Sequence, residues 1–439
     1  MRILMLGWEF APFITGGLGR ACEKIVDELL DLGHSVDFAV PMGVGKESRD
    51  RFRLIALDDS KKNSKCGGVL AEKSIHLADY VSDKRELEKY EALQLSSFLS
   101  PYSTHSPSGS SNSNPYAGHL LEAVENYTNQ IFEKFSNGPI DRDRENRYDA
   151  IHAHDWLTFA AAEALSKKLQ IPFIAHFHSL ESDRNPNAPN MIVVAIEKMA
   201  VEKADVVIAV SEFTRQCLKK HYGLSDQRSR VVYNGTDTFL AGSSLEALAS
   251  SEKKRSSRNG SSAQTVLFMG RLTHQKGVQQ FCAIAGEVLK TAMGTKFVVA
   301  GEGDMELELK NSIKAHGLEE SFSLVGMLEG REVNEAYENA DVLMMPSVSE
   351  PFGLVATEAT EHGLPSVLSS ASGAVEIMPH AFKASPDDPV RFARLIGLLL
   401  ANPEIGQSVV RQSRSDMAQH TWKKTAILIS NFYAEAVRP

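Results

Sequence analysis

The sequence predicts an α/β protein made of two domains, each a parallel sheet between layers of helix. Three observations carry this. The chain has 439 residues with 43% apolar content, more than one ordinary core accommodates and suited to two domains of about 200 residues each. Short β-branched apolar runs alternate with amphipathic stretches, the rhythm of β-α-β units in which helices cover a parallel sheet. That rhythm comes in two series, separated by residues 243–264, a tract rich in Ser, Lys and Arg that reads as a surface linker or exposed insert.

The first series opens with a strand over 2–6, an amphipathic helix over 18–32 closed by Gly33, and a strand over 36–40. An irregular region follows, including residues 100–115 (SPYSTHSPSGSSNSNP), which offer almost nothing to pack. Strands are then expected at 150–152, 173–175, 206–210 and 231–233, with helical patterns between them. The second series places strands at 266–269, 297–300, 322–325, 342–345 and 366–368. A last pattern over 422–437 sets Trp422, Ile427, Ile429, Phe432, Tyr433 and Ala436 at roughly helical spacing, a face that needs something to pack against. The expected division is therefore 1–240, an insert over 241–264, 265–420, and a closing helix over 421–439. Two such sheets face each other across a cleft lined by the carboxyl ends of their strands, where open parallel sheets bind ligands.

Composition limits the partners. With 47 basic and 56 acidic residues the formal charge is −9, and no block of Lys and Arg dominates; this argues against nucleic acid or an anionic membrane surface. The four cysteines, Cys22, Cys66, Cys217 and Cys282, have neither zinc-site nor disulfide-scaffold spacing and read as reduced thiols. The start, MRILMLGWEF, is interrupted by Glu9 and lacks the anatomy of a secretory signal. No run approaches the roughly 20 apolar residues of a membrane span. A cytoplasmic protein without an integral membrane segment is expected.

The chemistry concentrates in a few segments. In residues 347–358 (SVSEPFGLVATE), Glu350 precedes a turn at Pro351 and Gly353, and Glu358 follows inside a helical pattern. A helix starting near Gly353 leaves the N–H groups of Phe352, Gly353 and Leu354 free, and such an end suits a diphosphate. Glu358, more than a turn along, has two acceptor oxygens for a pair of ribose hydroxyls. Residues 270–277 (GRLTHQKG) follow a core strand, putting Arg271 and Lys276 where fixed cations neutralise a diphosphate and stabilise a departing phosphate. Gly16 and Gly17 of TGGLG sit between the first strand and helix, where missing side chains allow close approach. Neither this cluster nor Gly301-Glu302-Gly303 has dinucleotide-fingerprint spacing, so hydride chemistry is poorly supported. HAHDW ends a strand with His154, and AHFHSLESDR brings His176, His178, Glu181, Asp183 and Arg184 to the end of the next; neither has a recognised metal-ligand spacing.

MRILMLGWEFAPF with TGGLG, HAHDW, FHSLESDR, VSEFTR, YNGTD, GRLTHQKG, VAGEGD, VGML and SEPFGLVATE stand in this order along nearly the whole chain. Together they resemble the retaining glycosyltransferases of the GT-B fold, particularly the glycogen and starch synthase group and its bacterial group 1 relatives. The resemblance implies two Rossmann-like domains facing across a cleft, with the terminal helix crossing back onto the first. It implies a nucleoside diphosphate sugar as donor, a saccharide acceptor, and neither cofactor nor essential metal. It makes Glu350 a contact to the donor sugar and Glu358 the ribose ligand. Arg271 and Lys276 become diphosphate ligands, Gly17 a close neighbour of the donor, and His154 the active-site histidine. Gly301 and Met327 would flank the nucleobase, and His178 and Glu181 would face the acceptor. Two departures from the synthase pattern stand out: Ile14 occupies a position where those enzymes commonly carry Lys, and residues 369–377 (SSASGAVEI) are nearer the broader bacterial group. A sugar-nucleotide isomerase and a non-catalytic sugar-nucleotide sensor are the alternative readings; donor base, acceptor and oligomeric state are left open.

Overall fold

A computed structural model describes residues 1–10, 16–41, 48–49, 51–57, 74–82, 120–136, 147–236 and 263–437. The Ser-rich tract at 100–115, Ile14, Cys66 and nearly all of the expected insert at 241–264 lie outside these residues.

The first lobe runs β1 (Arg2–Leu6), α1 (Gly17–Asp31), β2 (Ser35–Val40), β3 (Ser48–Arg49), β4 (Phe52–Ala56), α2 (Leu120–Ser136), β5 (Ala150–His154), α3 (Trp156–Leu169) and β6 (Phe173–Phe177). It continues through α4 (Glu181–Arg184), α5 (Met191–Lys203), β7 (Val206–Ala209), α6 (Glu212–Tyr222) and β8 (Ser229–Val231). The second lobe runs β9 (Thr265–Met269), α7 (Phe281–Leu289), β10 (Lys296–Ala300), α8 (Glu306–Ala315), β11 (Phe322–Gly326), α9 (Arg331–Asn339) and β12 (Val342–Met345). It closes with α10 (Leu354–Glu361), β13 (Ser366–Ser369), α11 (Ala374–Ile377), β14 (Phe382–Ala384), α12 (Pro389–Ala401) and α13 (Pro403–Met417), before the last helix, α14 (Trp422–Ala436).

The first sheet has the order β3-β4-β2-β1-β5-β6-β7-β8, parallel except where β3 meets β4, and the second is β11-β10-β9-β12-β13-β14, parallel throughout. In both, chain order reverses beside the first strand of the unit. This is the switch point where parallel sheets open a crevice. Side-chain alternation divides the first lobe's core in two. Leu4, Leu6, Ile151 and Ala153 face α3 and α5, whereas Ile3, Met5, Ala150 and Ile174 face α1 and α14. The expected strands at 2–6 and 342–345 match the observed ones, while the strand expected at 231–233 lies two residues earlier. Strands β4 and β14 were not foreseen, because Arg53 and Lys383 interrupt their short apolar runs.

The closing helix finds its partner on the first lobe, as the resemblance implied. Trp422, Ala426, Ile429 and Tyr433 are buried in the same cluster as Ile3, Met5 and Val26. Burial of Ile429 alone is worth about 1.5–3 kcal/mol. The chain crosses beside the last described residue of the first lobe: Thr236 N donates to His420 O at 2.8 Å. Gly235 permits this approach, since a Cβ there would lie 2.2 Å from Trp422 N. Among the described residues, no helix is long and apolar enough to cross a membrane.

Candidate active site

Adjacent strands β9 and β12 end in the two loops that meet at the centre of the site. Lys276 Nζ donates to both oxygens of Glu350, at 2.9 and 2.7 Å, and Ser347 Oγ donates to Oε2 at 2.9 Å. The backbones are pressed together to make this possible. Val348 N donates to Gln275 O at 2.8 Å, and Gly277, at φ +73°, leaves room where a Cβ would lie 2.1 Å from Pro346 O. Arg271 follows Gly270 at the end of β9 and is half-buried.

Gly353, at φ +102°, turns the chain into α10. The amides of Phe352, Gly353 and Leu354 have no hydrogen-bond partner among the described residues. The first lobe brings a second helix start to the same place. Gly16 and Gly17 are exposed at the head of α1, and a Cβ on Gly17 would lie 3.3 Å from Leu354 Cδ1. One turn along, Arg20 Nη1 lies 3.0 Å from Glu358 Oε1, while Tyr337 OH donates to Glu358 Oε2 at 2.8 Å. Two helices from different lobes therefore start side by side, and their positive dipole ends reinforce each other. This is a concentrated setting for an anion.

The base-side rim forms where β9, β10 and β11 end. Gly301 N donates to Gly326 O at 2.7 Å, and a Cβ on Gly301, at φ +138°, would lie 1.9 Å from Gly270 O. Val325 and Met327 are 42% and 46% exposed beside it, an apolar surface open to a flat ring.

Further contacts hold the lobes together. Ser349 Oγ donates to Asp183 Oδ1 at 2.6 Å, and Ser211 Oγ to Pro351 O at 2.6 Å. Glu376 accepts from Glu212 N at 2.8 Å and Phe213 N at 2.7 Å, so a second-lobe carboxylate caps α6 of the first. Glu376→Ala is expected to lower stability by about 1 kcal/mol and to speed proteolysis between the lobes. Unchanged melting and digestion would contradict this role.

The histidines occupy one face of β5 and β6, where His154 pairs with His176 in register. His154 Nδ1 and His178 Nε2 are 2.9 Å apart, and His152 Nε2 and His176 Nδ1 3.2 Å. Tyr433 OH, from the closing helix, lies 2.6 Å from His152 Nδ1. Burial pulls His152 and His178 down to about 3, and burial followed by neighbouring imidazoles holds His154 and His176 well below the usual histidine range. All four are neutral at physiological pH. His154, expected to present its ring to the cleft, is fully buried; His178, half-buried, is the member that reaches solvent.

Asp155 adopts φ +60°, an unusual conformation for a residue with a Cβ, and accepts from His178 N at 2.6 Å and Ser179 N at 3.3 Å. Its carboxyl pins the loop after β6, and burial pushes it up to about 6. Glu181, expected to face the acceptor, is held within its own loop. It is 3% exposed, with Oε1 accepting from Asn185 Nδ2 and Asn190 N, each at 2.9 Å, and Oε2 from Arg184 Nε at 3.2 Å. Those bonds fix the turn into α5. Asp183 is the acidic residue of this loop that meets the second lobe. Arg20, Tyr337, Ser349 and Glu376 were not singled out in the sequence, for each takes its role from a distant partner.

Comparison with known proteins agrees with this architecture. Residues 249–417 match the family model for glycosyl transferases group 1, and residues 130–239 that for glycosyltransferase family 4. An uncharacterised glycosyltransferase of Methanocaldococcus jannaschii is 25% identical over 444 residues, covering 100% of this chain and 99% of its own. The glycogen synthase of Mycobacterium tuberculosis is 26% identical over 450 residues, covering 100% and 95%. Among solved structures, Anabaena HepE in complex with UDP and glucose superposes with a TM-score of 0.65 at 17% identity, covering 99% of this chain and 100% of that one. With two parallel-sheet lobes and a closing helix that returns to the first, the chain has the GT-B fold, and each lobe matches a glycosyltransferase family model, the second that of group 1.

Proposed function

We propose that this protein is a retaining hexosyltransferase that moves a glucosyl group from a nucleoside diphosphate sugar to a saccharide acceptor, extending an α-glucan as glycogen synthases do. The observation that carries the reading is the convergence of two helix starts, one from each lobe, beside the Lys276–Glu350 pair. In this reading the donor diphosphate lies against the amides of Phe352, Gly353 and Leu354, with Arg271 and Lys276 as its cations. Glu358 takes the ribose hydroxyls by exchanging Arg20 for them, and Gly301 and Met327 flank the base. Gly16 and Gly17 leave room for the donor on the first-lobe side. Glu350 contacts the sugar, and His178, with His154 hydrogen-bonded behind it, lines the side where the acceptor enters.

The bond between the sugar's anomeric carbon and the diphosphate oxygen breaks while the acceptor oxygen attacks the same face. The acceptor's proton passes to the departing phosphate. The helix starts and the two cations carry the developing negative charge, so the step is proposed without a metal. The M. tuberculosis relative supports a glucan product, and the UDP and glucose bound to HepE support a nucleotide donor.

The test is a thermal-shift panel of ADP-, UDP- and GDP-sugars, since a ligand that binds only the folded state raises the melting temperature, followed by labelled transfer to glycogen. One nucleotide sugar is expected to shift melting and to label the polymer. Transfer only to small saccharides would replace the polymer reading, and a product formed from donor alone without nucleotide release would point to isomerisation.

A further inference from the structure

We propose that His152, His154 and His176 form a binding site for a borderline divalent metal ion of the zinc class. The alternation of β5 and β6 puts these imidazoles on one face of the first sheet, and one ligand nitrogen from each lies within 4.8 Å of the other two. A tetrahedral zinc ion with bonds of about 2.0–2.1 Å needs its nitrogens roughly 3.3 Å apart, a distance that small ring rotations reach.

The second observation is independent of spacing. All three residues are fully buried, yet Nε2 of His154 and Nε2 of His176 have no hydrogen-bond partner among the described residues. Buried polar atoms are nearly always bonded, and two orphans in one cluster call for a ligand. A hydrogen-bond donor could serve one lone pair, but three convergent imidazoles are the donor set that zinc, copper and nickel prefer. The other nitrogens of two of these rings are arranged as ligand imidazoles require, while His176 Nδ1 faces His152 Nε2 at 3.2 Å, a contact the ion would replace. His152 Nδ1 faces Tyr433 OH at 2.6 Å and His154 Nδ1 faces His178 Nε2 at 2.9 Å, contacts that fix ring orientation and tautomer.

Occupancy of this site fixes the His154 ring that backs His178 on the acceptor side, so the ion acts as an inhibitor rather than a participant in transfer. That consequence rests on the function proposed above, whereas metal binding does not. Cys22 approaches the same cluster from α1, within 4.8 Å of His154 and His178, and is the competing donor.

The experiment titrates the chelator-treated full chain with Co2+ and reads the visible absorption of a tetrahedral ion. One equivalent is expected to bind, zinc is expected to displace it, and His176→Leu is expected to weaken zinc binding at least about 100-fold while leaving the thermal shift with nucleotide sugar in place. X-ray absorption of the zinc-loaded wild-type protein, which requires no variant to fold, is expected to show imidazole scattering and no sulfur. Absence of the tetrahedral spectrum, unaltered affinity in His176→Leu, or sulfur in the first shell would overturn the site. Transfer is expected to fall on adding zinc and to recover with chelator. Binding without inhibition would leave the metal site standing and remove the His154–His178 pair from the proposed acceptor side.

Discussion

Lys276→Ala is expected to reduce sugar transfer by about 100- to 1,000-fold, the range seen when one preorganised stabiliser of a developing anion is removed. The side chain does two things. It is a fixed cation beside the helix start at Gly353, and it is the ionic partner of Glu350, whose buried carboxylate would otherwise retain only the Ser347 hydroxyl among the contacts described above. Its removal therefore takes a positive charge from the diphosphate and leaves a negative one less constrained beside the sugar. Both effects oppose the accumulation of charge on the departing phosphate. Initial rates with labelled donor measure the loss, and circular dichroism checks that the fold persists. Glu350→Ala should be comparably damaging, and the double variant should fall well short of the product of the two losses because the residues act as a unit. Turnover near wild type in both single variants would remove the assignment.

Gly277→Ala is expected to be among the most damaging of the small substitutions. Two penalties coincide there: a backbone at φ +73°, and a Cβ that would lie 2.1 Å from the Pro346 carbonyl oxygen. The obstacle is backbone, which cannot rotate away as a side chain does. We expect stability to fall by about 2–4 kcal/mol and donor affinity to fall by more than tenfold, because the loop carrying Lys276 must lift from the loop carrying Glu350. Gly286→Ala is the control: it lies in the same lobe, within a helix, and a Cβ there meets nothing within 4 Å. Differential scanning fluorimetry with and without nucleotide sugar separates the two effects. Equal melting of the two variants would show that the loop approach is not what sets Lys276 in place.

The central strands of both sheets were readable because parallel strands buried on both faces are continuous apolar runs, as in VLMM and TVLFM. The helix start at Gly353 was readable for a related reason, since a Pro-Phe-Gly turn before a helical pattern admits few backbones. What the sequence concealed was pairing at a distance. Nothing around Arg20 marks it for Glu358, and nothing in SGAVEI marks Glu376 as the cap of a helix in the other lobe. The histidines show the same limit. HAH and HFH each lack metal-ligand spacing, and only the register of β5 on β6 makes one cluster of them. The burial of Glu181 was not legible, because a carboxylate in a polar loop gives no local sign of whether it faces water or its own turn.

The polypeptide returns to the first lobe at Thr421, and there it is bridged to Thr236 of that lobe. A covalent crossing pinned in this way acts like the pin of a door, permitting swing about one edge and resisting slide or shear. A chain cut after His420 would lose both that pin and the apolar cover of β1.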